Sequence, residues 1–127
     1  MSKQPYITDR IHFVGESRRV VLKLGTSIII REAGGVALSR FYSFIESIAA
    51  VRRAGREVLL VTSGSVGLGA QQLGIESPLE SLPMKQACAA VGQGRLMALY
   101  SDAFDRIGLK AAQVLLTEED FSSRRRY

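Results

Sequence analysis

The feature that most constrains the fold is a pair of short aliphatic runs separated by a segment with helical periodicity. Residues 18–25 read RRVVLKLG, which is typical of a β-strand ending at glycine. Apolar residues then recur at helical spacing, at Phe41, Phe44, Ile45, Ile48 and Val51. Residues 57–64 read EVLLVTSG and predict a second strand. Strand, crossover helix and strand form a βαβ unit, so we expect two parallel strands in one sheet.

The ends and faces of these elements can be predicted in more detail. Ser39 is available as the N-cap of a helix that reaches Ala54, and Gly55 suits the C′ position after it. Residues 58–61 form a continuous apolar run, which is typical of a strand buried on both faces of a parallel sheet. We therefore expect the second strand to be covered on both faces.

The second half of the chain predicts further helices and a third strand. A short helix ends near Gly74, residues 75–83 form a loop with two prolines, and a long helix runs to Gly108. Residues 111–117, AAQVLLT, then predict a third strand. Residues 118–127 carry capping residues and predict the start of another helix.

The long helix has an apolar stripe and two glycines near its middle. Apolar residues at helical spacing are Met84, Ala87, Cys88, Val91, Leu99, Ala103, Phe104 and Ile107. Gly92 and Gly94 either weaken this helix or permit another element to pack closely against it. The position of Cys88 within the stripe favours a buried, unreactive thiol over a nucleophile.

Composition fits one soluble α/β or α+β domain, and the chain begins with a mixed, polar leader of residues 1–17. Of the 127 residues, 46% are hydrophobic and 23% are charged, which is within the range of globular domains. Cys88 has no second cysteine to pair with, so a reducing compartment, the cytoplasm, is favoured. We infer neither export nor membrane insertion, because no stretch approaches the roughly 20 apolar residues of a membrane span.

The net charge of +5 does not by itself predict a nucleic-acid partner. The basic runs are short and separate, at Arg18–Arg19, Arg52–Arg53 and Arg124–Arg126. They contain no recognisable nucleic-acid motif and no interleaved aromatic residues. We therefore expect no nucleic-acid partner, and the alternative predicts duplex affinity that falls steeply with salt.

The two predicted strands open into turns rich in small residues, at residues 23–27 and 62–65. In open α/β sheets the ligand crevice lies at the carboxyl ends of the strands, where backbone N–H groups at a helix N-terminus hold anions. Gly64, Gly67 and Gly69 do not have the spacing of a dinucleotide-binding fingerprint, and no GxxxxGK[ST] loop is present. Each turn is therefore either a ligand site or ordinary turn chemistry.

Lys23 is the most pointed candidate for chemistry, because it lies between Leu22 and Leu24 in an otherwise apolar strand. Lysine is seldom buried without a partner. Either its ammonium group reaches solvent from the strand end, or it lies in the crevice and neutralises charge on a transferring phosphoryl group.

Other titratable residues are weaker candidates. His12 lies in the polar leader without a partner pattern, and we expect it at the surface. Residues 118–120, Glu-Glu-Asp, are better explained as the start of a helix, where acidic side chains complement the dipole. The sequence shows no metal-ligand cluster, so we assign no metal site.

Four segments, in order and without large gaps, resemble the glutamate 5-kinases, a branch of the amino acid kinase family. They are VVLKLGTSIII, VLLVTSGSVGLGAQQLG, KQACAAVGQGRLM and VLLTEEDFSSRRRY, and together they span about residues 18–127. The related aspartate and acetylglutamate kinases typically have a lysine followed by a two-glycine loop. This chain has Lys23-Leu24-Gly25-Thr26-Ser27 instead.

The resemblance implies a three-layer αβα sandwich with a mostly parallel sheet, present here in incomplete form. It implies that ATP, accompanied by Mg²⁺, phosphorylates the γ-carboxylate of L-glutamate in the first step of proline synthesis. Lys23 matches the family lysine that contacts ATP phosphates, and we expect it to be catalytic. Gly25 and Thr26 lie in the same loop and would bind ATP. Ser63 matches the serine that binds glutamate, and Gly64 lies beside it.

Proteins of this family are longer than 127 residues and supply further substrate and nucleotide contacts from their later segments. We therefore expect a truncated form that lacks kinase activity on its own. Two alternatives remain open: a non-catalytic module that binds glutamate or another small anion, and the kinase portion of a bifunctional pyrroline-5-carboxylate synthase. A homo-oligomer is also left open.

Overall fold

The computed structural model describes residues 16–31, 34–75, 81–116 and 118–122. Within these ranges it has two strands, β1 (Arg19–Leu24) and β2 (Glu57–Thr62). It also has five helices, α1 (Thr26–Ile29), α2 (Leu38–Arg53), α3 (Ser65–Leu73), α4 (Leu82–Arg106) and α5 (Glu118–Ser122). The predictions for most of the leader with His12, and for Arg124–Arg126, lie outside the described residues.

The predicted βαβ unit is confirmed. β1 and β2 pair in parallel, with the register running from Arg19 opposite Glu57 to Leu24 opposite Thr62. Helix α2 makes the crossover between them. The α/β class with a parallel sheet is therefore confirmed, and it agrees with an incomplete amino acid kinase fold.

The core lies between the sheet and helices α2 and α4. Helix α2 buries residues three and four positions apart, which places them on one face of the helix: Phe41, Ile45, Ile48 and Ala49. Helix α4 contributes Leu96, Tyr100, Ala103 and Phe104 to the same cluster, together with Ile29 and Leu68. Burial of each large apolar side chain stabilises the fold by about 1.5 to 3 kcal/mol.

The two faces of the sheet have different surroundings, which corrects one prediction. Leu22, Val58 and Leu60 pack against the core. Val21, Leu59 and Val61 alternate with them and are 61%, 52% and 53% exposed. We call the second set of positions the open face of the sheet. The prediction that β2 is buried on both faces is wrong, because the helices of the described residues cover one face only.

The ends of α2 were predicted in part. Gly55 follows the helix with φ of +79°, and the Arg56 N–H donates to the Val51 carbonyl, so the predicted glycine C′ position is confirmed. Ser39 is not the N-cap, because Leu38 is already helical and Ala37 takes the N-cap position. The buried Ala37 donates its N–H to the Ile29 carbonyl, which attaches the helix start to α1.

Helix α4 begins slightly earlier than predicted. Ser81 is its N-cap and accepts a hydrogen bond from the Met84 N–H at 3.3 Å, with proline in the first turn. Leu82 and Pro83 therefore belong to the helix and not to the predicted loop, whose residues 76–80 lie outside the description. The predicted helix ends at Gly74 and Gly108 are confirmed, and both glycines have positive φ.

The predicted third strand is wrong for residues 111–116, which belong to no strand or helix. Val114, Leu115 and Leu116 are 77%, 70% and 63% exposed. A β-strand depends on hydrogen bonds from a neighbour, and the described residues do not provide one for this segment. Thr117 lies outside the description, and the predicted helix after it is confirmed as α5.

None of the helices in the described ranges has the length and apolarity needed to cross a membrane.

Candidate functional site

The two predicted turns lie at the same edge of the sheet. Because Leu24 and Thr62 are partners in the parallel register, both strands end side by side. The chain then enters α1 at Thr26 and α3 at Ser65. The first N–H groups of a helix have no partner within the helix, so helix N-termini are suited to binding anions.

Two of the predicted site residues are in direct contact. The hydroxyl oxygens of Thr26 and Ser63 are 3.2 Å apart. Ser63 also donates a hydrogen bond to the Leu24 carbonyl at 3.3 Å. Thus the side chains that follow β1 and β2 form one small polar cluster.

The glycines of the two turns have different conformations. Gly64 has φ of +120°, which side-chain-bearing residues rarely adopt. Gly25 has φ of −79° and ψ of 163°, an extended conformation open to any residue. No described atom beyond its chain neighbours lies within 4 Å of a Cβ built on Gly25. Backbone geometry therefore requires glycine at position 64 and does not require it at position 25.

Lys23 lies on the open face of the sheet, opposite Val61 in the register. Its side chain is exposed, because its neighbours Leu22 and Leu24 take the core side of the strand. Within the described residues its ammonium group has no ion pair or hydrogen bond to Thr26 or Ser63. The two turns bring together Gly25, Thr26, Ser63 and Gly64, and Lys23 lies two positions before the first of these.

A cavity of about 410 Å³ adjoins the turn after β2. The end of β2, the middle of α4 and the segment 111–116 form its walls, and Thr62, Ser63 and Ser65 contribute polar groups. Ser63, the predicted glutamate-binding residue, thus has access both to Thr26 and to a cavity.

Tyr100 of α4, which was not predicted as a site residue, contacts the end of β2. Its hydroxyl oxygen is 2.8 Å from the Thr62 hydroxyl oxygen. Burial raises the pKa of the Tyr100 phenol, and the hydrogen bond with Thr62 offsets this effect only in part. The missed signal is a strict four-residue spacing in α4, at Cys88, Gly92, Leu96, Tyr100 and Phe104, all of which are buried.

The sequence left two roles open for Gly92 and Gly94, either weakening α4 or permitting another element to pack closely against it. The structure shows close packing of α3 against α4. A Cβ on Gly92 would lie 1.8 Å from the Ser65 carbonyl oxygen, and one on Gly69 would lie 1.8 Å from the Cys88 carbonyl oxygen. The two backbones therefore touch, and α4 holds the first residue of α3. Gly94 has no such neighbour within the described residues.

Charged groups at the opposite edge of the sheet form ion pairs. Glu57 pairs with Arg19 at 2.7 Å and with Arg18 at 3.1 Å. The hydrogen bond and charge of Arg19 lower the pKa of the Glu57 carboxyl, and Arg18 adds to this effect. All three side chains are substantially exposed, so these pairs add little to stability.

No group of three or more His, Cys, Asp or Glu side chains in the described ranges could hold a metal ion. Cys88 is a buried free thiol, as its position in the apolar stripe predicted.

Comparison with known proteins identifies the family. Residues 18–127 match the model of the amino acid kinase family. A glutamate 5-kinase of Syntrophus aciditrophicus is 42% identical over 110 residues, covering 87% of this chain and 28% of that protein. Those of Moorella thermoacetica and Thermus thermophilus are each 45% identical, covering 90% and 87% of this chain and 30% of each relative. The chain thus spans about 30% of the length of these curated relatives, and it belongs to the amino acid kinase family.

Proposed function

We propose that this protein serves the ATP-dependent phosphorylation of the γ-carboxylate of L-glutamate, which gives glutamyl 5-phosphate, the first intermediate of proline synthesis. The observation that carries the proposal is the contact between Thr26 and Ser63, which unites two helix N-termini at the carboxyl edge of the sheet. The name shared by the relatives, glutamate 5-kinase, supports the choice of substrate.

Each predicted residue has a role that suits phosphoryl transfer. The Ser63 hydroxyl and the Gly64 N–H would bind a glutamate carboxylate, and Gly25 and Thr26 would bind ATP phosphates. The Lys23 ammonium would neutralise charge as a γ-carboxylate oxygen bonds to the terminal phosphorus and ADP leaves. This reaction needs little covalent chemistry from the protein and depends on positioning and charge neutralisation.

Mg²⁺ would enter with ATP, held chiefly by the nucleotide phosphates, and would supply further charge neutralisation there. We assign none of the described side chains to it. We also propose a cytoplasmic location, because the single buried thiol suits a reducing compartment. A homo-oligomer is one alternative for the state of the chain in solution, which sedimentation velocity measures.

These 127 residues match less than a third of each relative, so we expect them to bind ligand without turnover. The test is hydroxamate trapping of an acyl phosphate from the purified chain with ATP, Mg²⁺ and L-glutamate, beside Lys23→Ala. Calorimetric titration with L-glutamate, beside Ser63→Ala, measures binding separately. Circular dichroism of every variant shows whether it is folded.

The outcomes separate the possibilities. Saturable L-glutamate binding that Ser63→Ala abolishes, without hydroxamate, supports a ligand-binding part of a glutamate kinase. Hydroxamate that disappears in Lys23→Ala supports the kinase and overturns the expected inactivity. A folded chain with neither binding nor turnover contradicts the proposed function.

A further inference from the structure

A chain of four hydroxyl groups connects the buried helix α4 to both turns. The Tyr100 hydroxyl is 2.8 Å from that of Thr62, and Thr62 donates to the Ser63 carbonyl at 3.3 Å. The Ser63 hydroxyl then contacts the Thr26 hydroxyl and the Leu24 carbonyl. We call Tyr100, Thr62, Ser63 and Thr26 the hydroxyl chain.

Each hydroxyl has one proton and can also accept, so the contacts of the chain depend on one another. Either hydroxyl can donate in the contact between Tyr100 and Thr62, and Tyr100 is the donor whenever the Thr62 proton goes to the Ser63 carbonyl. In the contact between Ser63 and Thr26 either hydroxyl can donate, and a bound carboxylate could take the Ser63 proton in place of the Leu24 carbonyl. Tyr100 is therefore the buried partner of the Thr62 hydroxyl, and Thr62 in turn contacts the Ser63 carbonyl.

Tyr100 is suited to this role because its ring is immobilised. It is 3% exposed, lies edge-on to Phe41 with ring centroids 5.2 Å apart, and stacks on Phe104 at 6.1 Å. Burial favours the neutral phenol, so the donor proton is retained at physiological pH. The turn after β2 thus rests on a rigid aromatic cluster.

We propose that Tyr100 is a positioning residue that acts through Thr62 to orient the Ser63–Gly64 turn, and so sets the affinity of this turn for a substrate carboxylate. This inference rests on the proposed function. Tyr100 itself does not touch the ligand in this proposal, because its hydroxyl is already engaged with Thr62.

The test is a double-mutant cycle with Tyr100→Phe and Thr62→Val, each of which removes one hydroxyl and keeps most of the side-chain volume. We expect each variant to raise the calorimetric Kd for L-glutamate about tenfold, and the double variant to do no worse than either, because the pair acts as a unit. The Kd for a non-hydrolysable ATP analogue should change less than about threefold, since its proposed contacts lie in the other turn.

Ile48→Val is the matched control. It removes one methylene from the core cluster that contains Tyr100 and leaves every hydroxyl of the chain in place, so we expect it to lower stability without changing either Kd. Tyr100→Phe with wild-type affinity for L-glutamate overturns the proposal. So do effects of the two substitutions that simply add in the double variant.

A ligand-free measurement separates this proposal from the proposed function. Amide hydrogen exchange at residues 63–65 should become faster, and to the same extent, in Tyr100→Phe and Thr62→Val, with residues 25–27 little changed. A wild-type chain that binds no L-glutamate contradicts the proposed function, and in that case the exchange rates still test whether Tyr100 positions the turn. Unchanged exchange at residues 63–65 in both variants overturns the positioning role of Tyr100.

Discussion

The turns after β1 and β2 occupy equivalent places in the sheet, but the protein holds them in different ways. The first turn begins with Gly25 in an ordinary extended conformation, with open space beside it among the described residues. The second contains Gly64 with φ of +120°, and helix α4 holds it on both sides through Tyr100 and Gly92. The first turn is therefore shaped by local preferences, and the second by tertiary contacts.

The largest expected effect comes from the glycine that supports the second turn. Gly92→Ala would place a Cβ 1.8 Å from the Ser65 carbonyl oxygen and 2.5 Å from the Gly69 nitrogen. Neither backbone can yield without moving α3, so we expect a loss of more than about 3 kcal/mol in the free energy of unfolding. Urea denaturation followed by circular dichroism measures it.

Gly94→Ala is the matched control in the same helix. Its Cβ meets no described atom within 4 Å, so the better helix propensity of alanine should stabilise the fold by up to about 1 kcal/mol. If both substitutions have the same effect, α4 does not hold the second turn through close backbone contact.

The next largest effect is expected at the glycines of the two turns, Gly64 and Gly25. Gly64→Ala should cost about 1 to 3 kcal/mol of unfolding free energy, because alanine is strained at φ of +120°. Gly25→Ala should be neutral or stabilise by about 0.4 to 1 kcal/mol, because its conformation is open to alanine and the unfolded chain loses freedom. Thermal unfolding of both variants measures whether the two changes in stability differ in sign. Equal losses of stability would contradict the difference between the two turns.

A smaller effect on stability comes from the two hydroxyls in contact. Ser63→Ala and Thr26→Val should each cost at most about 1 kcal/mol, because the bond between them is exposed. Their effects on binding should differ. Ser63→Ala should weaken L-glutamate in calorimetry and Thr26→Val should weaken the ATP analogue, and a reversed pattern would exchange the roles proposed for the two turns.

The smallest effect is a dependence on alkaline pH. Burial raises the folded pKa of Tyr100 above its usual value of 10.0, so the unfolded chain loses this proton first. The stability that comes from this difference in pKa is fully present below pH 10. The free energy of unfolding then falls as the pH rises from 10 toward the folded pKa of Tyr100. Tyr100→Phe has no phenol to titrate, so its unfolding free energy should fall less steeply with pH than that of the wild type. Urea denaturation of both proteins at a series of pH values from pH 9 upward measures the two slopes. Identical slopes would contradict a pKa raised by burial.

Local sequence patterns predicted much of the fold. The two strands, the crossover helix and the glycines after α2 and α3 follow from residue periodicity and from the freedom of glycine. Both turns were predicted at the carboxyl ends of the strands, but the contact between the Thr26 and Ser63 hydroxyls was not predicted.

Other features were predicted incorrectly or missed because they depend on distant contacts. The apolar run of β2 cannot show which face a helix will cover, and Leu59 is half-exposed. The aliphatic residues 111–116 have strand propensity, yet no neighbour in the described structure pairs with them. Ser39 suited a cap chemically, but the buried contact of Ala37 with Ile29 starts α2 earlier.

The sequence by itself determined the order of the elements and the residue types at the two turns, since periodicity and backbone freedom act over a few neighbouring residues. Only the tertiary structure decided how the second turn is held. Thr62 and Tyr100 are 38 residues apart, and their contact exists because α4 packs on α3 through paired glycines. Such a contact depends on the relative placement of whole elements, which no local pattern specifies.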